Sequence, residues 1–354
     1  LSKGILTETQ NQLLHRKVTI MKAVKLKGSG EPRDVLTLSD IDKLPPPNGS
    51  NVVVHIRKRA VHPADYQTIR GFLPADVFAP GGIPGIDGVG VVEAIGPDVD
   101  PASEISVGTR VIVYHAHATW AERVAVPASS LMPVPDDIDD AVATQLATNG
   151  ITAVMLLRAA EQETEGRKAP LLVTAASSGV SRSIIALGRL KGHEVIGLVR
   201  RDADAAGLAE QFDKVPVIGT DRANWPDAVK AAAGQPPVVA IDAIGGEMMP
   251  ALLGLLTPGG TLVTYGALDG RPSPIHSGFV TAFELTIRGC SAMGWATRTP
   301  PEQRAADFAA LFDLVRRAPH LFAGYREFAL ADVVEAIAAA EASPRRGATI
   351  LVSP

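Results

Sequence analysis

Between Leu171 and Arg201 the chain reads LLVTAASSGVSRSIIALGRLKGHEVIGLVRR. An apolar run stops at Ala175-Ala176-Ser177-Ser178-Gly179-Val180-Ser181, a segment of helical pattern follows, and a second apolar run ends in Arg200 and Arg201. At a strand-to-helix turn, residues this small let the backbone approach a pyrophosphate, while the helix N-terminus supplies unpaired N–H donors and the positive end of its dipole. Only Gly179 is glycine, so the G-x-G-x-x-G signature fails, although the Ser178 and Ser181 hydroxyls can add hydrogen bonds to phosphate. By itself the turn is equally a tight strand–helix connection. The next strand adds weight: about 20 residues past such a turn an acid would hold a free ribose 2′-hydroxyl, and an arginine would accommodate a 2′-phosphate. Two guanidiniums there favour NADPH over NADH, because bidentate bonds to phosphate are arginine's strongest contacts. Asp202 follows directly and softens that preference. The competing reading is that both arginines cap a strand end in solvent.

Other reactive side chains carry weaker signals. His115 and His117 stand at i, i+2 in YHAHATW; on a strand both would point to one face, but no third ligand presents itself, so surface or pocket-lining histidines are expected. Cys290 is the single cysteine, with Arg288 as its one basic neighbour, which argues against a nucleophilic thiolate. One cysteine also rules out an intramolecular disulfide framework and any zinc site built of several thiolates.

These residues must be positioned by a chain of 354 residues, long enough for two domains. A formal net charge of −4 gives no electrostatic reason for binding nucleic acid or an anionic membrane. No apolar run is long enough to span a bilayer, and a reducing cytosol is the simplest home. The first twenty residues precede Met21-Lys22-Ala23-Val24, which reads as a natural start, and residues 1–20 are set aside as a leader or tag-like extension. From Met21 to about residue 145, short β-rich runs (52–61, 88–96, 110–116, 121–126) are punctuated by PPPNG and APGGIPG, which predicts a barrel-like antiparallel unit. Beyond it, apolar runs at 171–175, 194–199, 214–219, 238–244, 261–266 and 284–289 alternate with helical segments, predicting a doubly wound parallel sheet. Helical segments 302–318 and 330–342 and a short strand, 348–352, complete the chain and return to the first domain. The expected division is 21–145 with 300–354 as the β-rich domain and 146–299 as the dinucleotide-binding one.

The segments HPADYQTIRG (62–71), PGIDGVGVVEAIG (84–96), ATWAERVAVP (118–127), ATNGITAVMLL (147–157), SSGVSRSII (177–185), LVTYGAL (262–268) and IRGCSAMGW (287–295) resemble, in this order, the medium-chain dehydrogenase/reductase family. Within it the chain is most similar to the zinc-free quinone oxidoreductases and the mitochondrial-type 2-enoyl thioester reductases. The resemblance implies an α/β protein that joins a GroES-like β-rich catalytic domain to a Rossmann domain. In the motif that usually reads G-H-E-G, Gly85-Ile86-Asp87-Gly88 replaces the histidine ligand by isoleucine. His62 stands where zinc enzymes carry a cysteine, so with Asp87 a two-ligand remnant is left, short of the three protein ligands a catalytic zinc needs. No metal is expected.

By the same resemblance, NADPH would be held by Asn149, by Ser177, Ser178, Gly179 and Val180 at the pyrophosphate, by Arg200 and Arg201 at the 2′-phosphate, and by Tyr265, Gly266, Ala267, Cys290, Ser291 and Ala292 beyond the fifth and sixth strands. A family lysine of the last strand is replaced by Ala348. The thioester reductases also place a tyrosine just after the segment matching QTIRG, where this chain reads Gly71-Phe72-Leu73-Pro74. A phenyl ring has no proton to give, which moves the expectation toward quinones or enones, whose products water or another side chain can protonate. His62 and Tyr66, in the segment that lies over the nicotinamide, are the candidate catalytic residues. Each is weighed against a structural role, and Asp65 is expected to fix the loop through backbone N–H groups. Trp120 and Trp295 either border the substrate pocket or pack in the core. The expected activity is NADPH-dependent hydride delivery to a small-molecule quinone or activated C=C bond by a homodimer. The alternatives are a trans-2-enoyl thioester reductase and a non-catalytic NADPH-binding module.

Overall fold

The computed structural model describes residues 20–72, 82–164, 166–342 and 347–354. Residues 1–19 of the proposed leader and 73–81 of the 72–82 loop lie outside the described residues, and Ile20 opens the first strand. Seven strands come first: β1 Ile20–Leu26, β2 Leu36–Asp42, β3 Asn51–Ala60, β4 Gly88–Ile95, β5 Arg110–Val113, β6 Arg123–Pro127 and β7 Leu131–Pro133. The next six are β8 Leu171–Val173, β9 Val195–Val199, β10 Val217–Gly219, β11 Val239–Asp242, β12 Thr261–Thr264 and β13 Thr286–Gly289, and β14 Tyr325–Ala329 and β15 Ala348–Val352 follow.

The first domain is a seven-stranded sheet, in which β14-β15-β3-β4-β5-β7 form a path and β6 pairs with β3. β1 and β2 form a separate antiparallel pair. In β3 the alternate residues Val52, Val54 and Ile56 fill one apolar cluster with Val92, Val111, Val113, Val124 and Val126. Glycine at 90 is obligatory for the β3–β4 register, since a Cβ there would stand 2.0 Å from the His55 carbonyl oxygen. β15 closes the domain by pairing antiparallel with β3 through Ile350, Leu351 and Val352.

The second sheet has the order β10-β9-β8-β11-β12-β13, all parallel. Its central strands β8, β9 and β11 are buried on both faces, as a doubly wound sheet requires. Alternate residues go to opposite layers: Leu171, Val173, Val239 and Ile241 join one apolar cluster, and Leu172, Ala240 and Leu262 join the other. This is the mixed α/β architecture expected, a GroES-like unit joined to a Rossmann sheet.

Two placements differ from expectation. The Pro301–Arg317 helix packs against the Ile151–Thr164 helix on the Rossmann side, its Phe308, Leu311 and Leu314 sharing the cluster of Leu156 and Leu171. Its apolar face finds the larger core, and only Tyr325 onward joins the first domain's sheet. β5 also stops at Val113, so His115 and His117 are not on a strand. His115 and Ala118 both have positive φ, at 50° and 66°, which turns the chain there and defeats the alternation expected from i, i+2 spacing. No helix among the described residues is long and apolar enough to cross a membrane.

Candidate cofactor and substrate site

The parallel order places the carboxyl ends of β8, β9, β12 and β13 along one rim, and every candidate cofactor residue but Asn149 follows one of those ends. Strand order reverses between β8 and β11, and here the sheet is braced by side chains. Thr174 Oγ1 donates to Asp242 Oδ1 at 3.0 Å and accepts from the Ala243 N–H at 2.9 Å. Asp242 also accepts from the N–H groups of Ile244 and Gly245, at 3.0 and 2.9 Å. Burial raises the Asp242 carboxyl above its ordinary value against these bonds. Neither Thr174 nor Asp242 was foreseen from sequence; the signal was a polar residue ending each of two apolar runs.

Beyond Thr174 the chain turns through Ala175, at φ 48°, so that Ala176 is buried and Ser177 is exposed. Ser178 caps the Gly179–Leu190 helix, its Oγ accepting from the Ser181 N–H at 3.2 Å. The remaining first-turn N–H groups have no intrahelical partner, as at any helix start. Gly179 is exposed, and a Cβ built there would stand 3.4 Å from Asn149 Nδ2, which brings Asn149 to the edge of the turn. Asn149 itself lies in a single π turn, Leu146–Gly150, between two α segments; such turns recur at functional sites. Ser181 Oγ donates to the Thr174 carbonyl at 2.8 Å and lies 3.4 Å from the Tyr265 hydroxyl. Burial pushes Tyr265 up to about 12, so its hydroxyl keeps its proton and remains a donor. Gly266 and Ala267 continue from Tyr265. Ser291 caps the short helix after β13, and half-buried Cys290 has its thiol raised by burial, against reactivity.

At the end of β9, Arg200 is exposed and Arg201 grips Asp204 with both ends of its fork, at 2.9 and 2.8 Å. These residues fit a nicotinamide dinucleotide. The helix start opens on Ser177, Ser178 and Gly179, and two guanidiniums stand beyond the neighbouring strand; Ser181, expected to bond phosphate, is instead fully buried with its hydroxyl on the Thr174 carbonyl.

Across from this rim lies the Pro63–Ile69 helix of the first domain. His62, at its N-cap, is buried, with Nε2 2.7 Å from Asp87 Oδ2. The backbone N–H of His62 donates to Asp65 Oδ2 at 2.8 Å, and the two side chains form a capping box. Asp65 thus has the loop-fixing role expected. Desolvation carries its carboxyl up from 3.8 to about 7. The second oxygens of Asp65 and Asp87 are buried without a hydrogen-bond partner among the described residues. No three His, Cys, Asp or Glu side chains among the described residues are grouped to hold a metal ion.

Tyr66 is buried in the first domain's apolar cluster with Val24, Ile69 and Trp120, its ring 5.7 Å from the Arg70 guanidinium carbon. The two catalytic candidates are therefore packed into the first domain. Gln67, on the same helix, reaches the second domain: its Nε2 donates to the Ala267 carbonyl at 3.4 Å. Sequence reading passed over Gln67 because a glutamine on a short helix has no distinctive pattern. Trp120 is fully buried, and Trp295 is buried against Tyr114 and Phe308 with its Nε1–H on Asp307, so both are core residues. Phe72 is exposed, and His115 and His117 are on the surface.

Residues 48–136 match the family model described as the alcohol dehydrogenase GroES-like domain, and residues 179–311 match that described as zinc-binding dehydrogenase. The mitochondrial enoyl-[acyl-carrier-protein] reductase of Homo sapiens is 29% identical over 81% of this chain and 77% of its own length. Among solved structures, a candidate NADPH:quinone reductase of Bacillus thuringiensis superposes with a TM-score of 0.83 at 27% identity, covering 95% of this chain and 99% of that one. A mycobacterial protein solved with NADPH has a TM-score of 0.80 at 26% identity, covering 94% and 100%.

Proposed function

This chain belongs to the medium-chain dehydrogenase/reductase family, in its quinone and enoyl reductase branch, and on that premise we propose that it takes NADPH and reduces quinones or the activated C=C bonds of α,β-unsaturated carbonyl compounds. It is an oxidoreductase that binds a nicotinamide cofactor. The observation that carries the choice of NADPH is the pair Arg200 and Arg201 at the end of the second Rossmann strand, where a 2′-phosphate would need charge. The mycobacterial neighbour solved with NADPH supports it.

The bound cofactor supplies the hydride. Ser177, Ser178, Gly179 and Val180 would hold its pyrophosphate, with Asn149 beside them, and Tyr265 to Ala267 and Cys290 to Ala292 would flank its nicotinamide end. The protein's own contribution is orientation and exclusion of water. Gln67 ties the wall of the first domain to the Ala267 loop, and the buried His62–Asp87 and His62–Asp65 bonds hold the Pro63–Ile69 helix that carries it. Because Phe72 replaces the tyrosine of the thioester reductases, the proton that completes the product comes from solvent or from another side chain of the site.

The names of the curated relatives favour a second acceptor, a trans-2-enoyl thioester. One experiment separates the two: oxidation of NADPH and of NADH, followed optically, with a quinone and a 2-enoyl thioester in parallel. NADPH-selective turnover with the quinone is expected. A faster thioester reaction replaces the leading reading by the second, and no consumption of either cofactor with either acceptor rejects both.

The same reading includes a homodimer. Among the described residues β13 ends the Rossmann sheet, pairing with β12 alone; its residues are largely exposed, Ile287 by 38%, and Phe279 and Phe283 just before it are 36% and 42% exposed. An open, partly apolar edge is a template for a second strand. Ile287→Arg is expected to shift the sedimenting species from dimer to monomer; a wild-type chain that already sediments as a monomer removes the proposal.

A further inference from the structure

The loop after β10 is locked onto the loop after β9. A Cβ at Gly219 would stand 2.3 Å from the Asp202 Cα, so the end of β10 packs directly on the backbone of Asp202. Thr220 N–H donates to the Val199 carbonyl at 2.8 Å, and Asp221 N–H to the Arg200 carbonyl at 3.1 Å. The Asp202 N–H in turn donates to Asp221 Oδ1 at 2.9 Å. This interlock delivers Arg222 to Asp202, with Nη2 hydrogen-bonded to Asp202 Oδ2. All three carboxylates at the locus are thereby engaged: Asp204 by Arg201, Asp202 by Arg222, and Asp221 by a backbone N–H.

Asp202 is the residue whose charge works against a 2′-phosphate, being the acid nearest the end of the second strand. Left unpaired it would accept from a free ribose 2′-hydroxyl and repel the phosphorylated sugar. We propose that Arg222 is a cofactor-specificity residue: it neutralises Asp202 and adds a third guanidinium to the face that Arg200 and Arg201 present to the 2′-phosphate. Its side chain is 51% exposed and that of Asp202 34%, so the pair sits at the rim, where a guanidinium can keep its carboxylate and still donate to phosphate through its remaining N–H groups. This inference rests on the NADPH reading.

The test is equilibrium binding of NADPH and NADH, each followed by quenching of tryptophan fluorescence, with no acceptor present. Wild type is expected to bind NADPH more tightly. Arg222→Ala should weaken NADPH by about tenfold, the loss of one charge-assisted contact, and leave NADH unchanged or tighter, because Asp202 is now open to the ribose. Adding Asp202→Asn to Arg222→Ala should recover NADPH affinity several-fold, an outcome that loss of a phosphate contact alone does not produce. Thermal melts of each variant check that the fold is intact. Equal loss for both cofactors, or an unchanged NADPH-to-NADH ratio, overturns the role of Arg222 while the NADPH reading stands. A wild-type chain that prefers NADH overturns that reading itself.

Discussion

Thr174 Oγ1 donates to Asp242 Oδ1 at 3.0 Å across the point where the order of the parallel strands reverses. Because Asp242 also collects the N–H groups of Ile244 and Gly245, one buried carboxylate fixes the exits of both strands that border the dinucleotide crevice. Thr174→Val keeps the shape, removes one of the donors to Asp242 and leaves the buried Ala243 N–H without its Thr174 acceptor. The cost of leaving such a group unsatisfied is about 1–3 kcal/mol. The variant is expected to lose that much unfolding free energy in urea and to bind NADPH more weakly; an unchanged midpoint would show that the brace is redundant.

This brace was not legible in the sequence, and the reason is physical. Alternation of apolar runs with helical segments announced a doubly wound sheet, since burial on both faces leaves its mark on every strand, and β15 was bounded at Ala348 and Val352 from pattern alone. The tight turn from β8 into the Gly179–Leu190 helix was legible despite missing glycines, because small residues at a strand exit are a local property. Contacts between distant segments have no local signature. Thr174 with Asp242, Gln67 with Ala267 and Arg222 with Asp202 each join residues whose partnership exists only after folding. The packing of the Pro301–Arg317 helix on the Ile151–Thr164 helix was hidden for the same reason: its apolar stripe reveals that it packs, and not against what.

Gly179 separates the needs of the fold from those of the cofactor. A methyl group there would make ordinary contact with Asn149 at 3.4 Å, so the protein alone accepts alanine. Alanine also favours a helical position by roughly 1 kcal/mol over glycine. Gly179→Ala is therefore expected to melt no lower than wild type when no cofactor is added. The same methyl stands where a pyrophosphate would approach the first-turn N–H groups, and NADPH affinity is expected to fall by about tenfold or more. Retention of full affinity, measured by titration, would place the phosphate elsewhere.

Asp65 makes stability depend on pH in a direction opposite to most carboxylates. Its pKa rises from 3.8 to about 7 in the folded chain, first because of desolvation, with the nearby Asp87 charge adding and His62 opposing. Between those values the native state holds a proton that the unfolded chain has released, so this group's contribution is greatest below 3.8, declines as pH rises, and is lost by about 7. Asp65→Asn removes the titration while preserving an oxygen for the His62 N–H. Denaturant unfolding at a series of pH values across that interval should show a flatter dependence in the variant. Parallel profiles for the two proteins would mean that Asp65 is ionised in the native state throughout.

Gln67 is placed to report on closure between the domains. Its Nε2–H donates to the Ala267 carbonyl at 3.4 Å, a long bond, and one that weak deletion alone would barely disclose. A carboxylate in its place, as in Gln67→Glu, faces the same carbonyl with no proton to offer, turning an attraction into a repulsion. If the contact holds the wall of the first domain against the nicotinamide end, the glutamate variant should lose roughly tenfold in kcat/KM for the acceptor and the alanine variant less, since misplacement at a reacting centre is costly. Binding of NADPH, anchored largely at the pyrophosphate and 2′-phosphate, should change far less than turnover. Equal kinetics for the glutamine, alanine and glutamate forms would assign Gln67 to the surface alone and leave orientation of the acceptor to the buried His62–Asp87 segment.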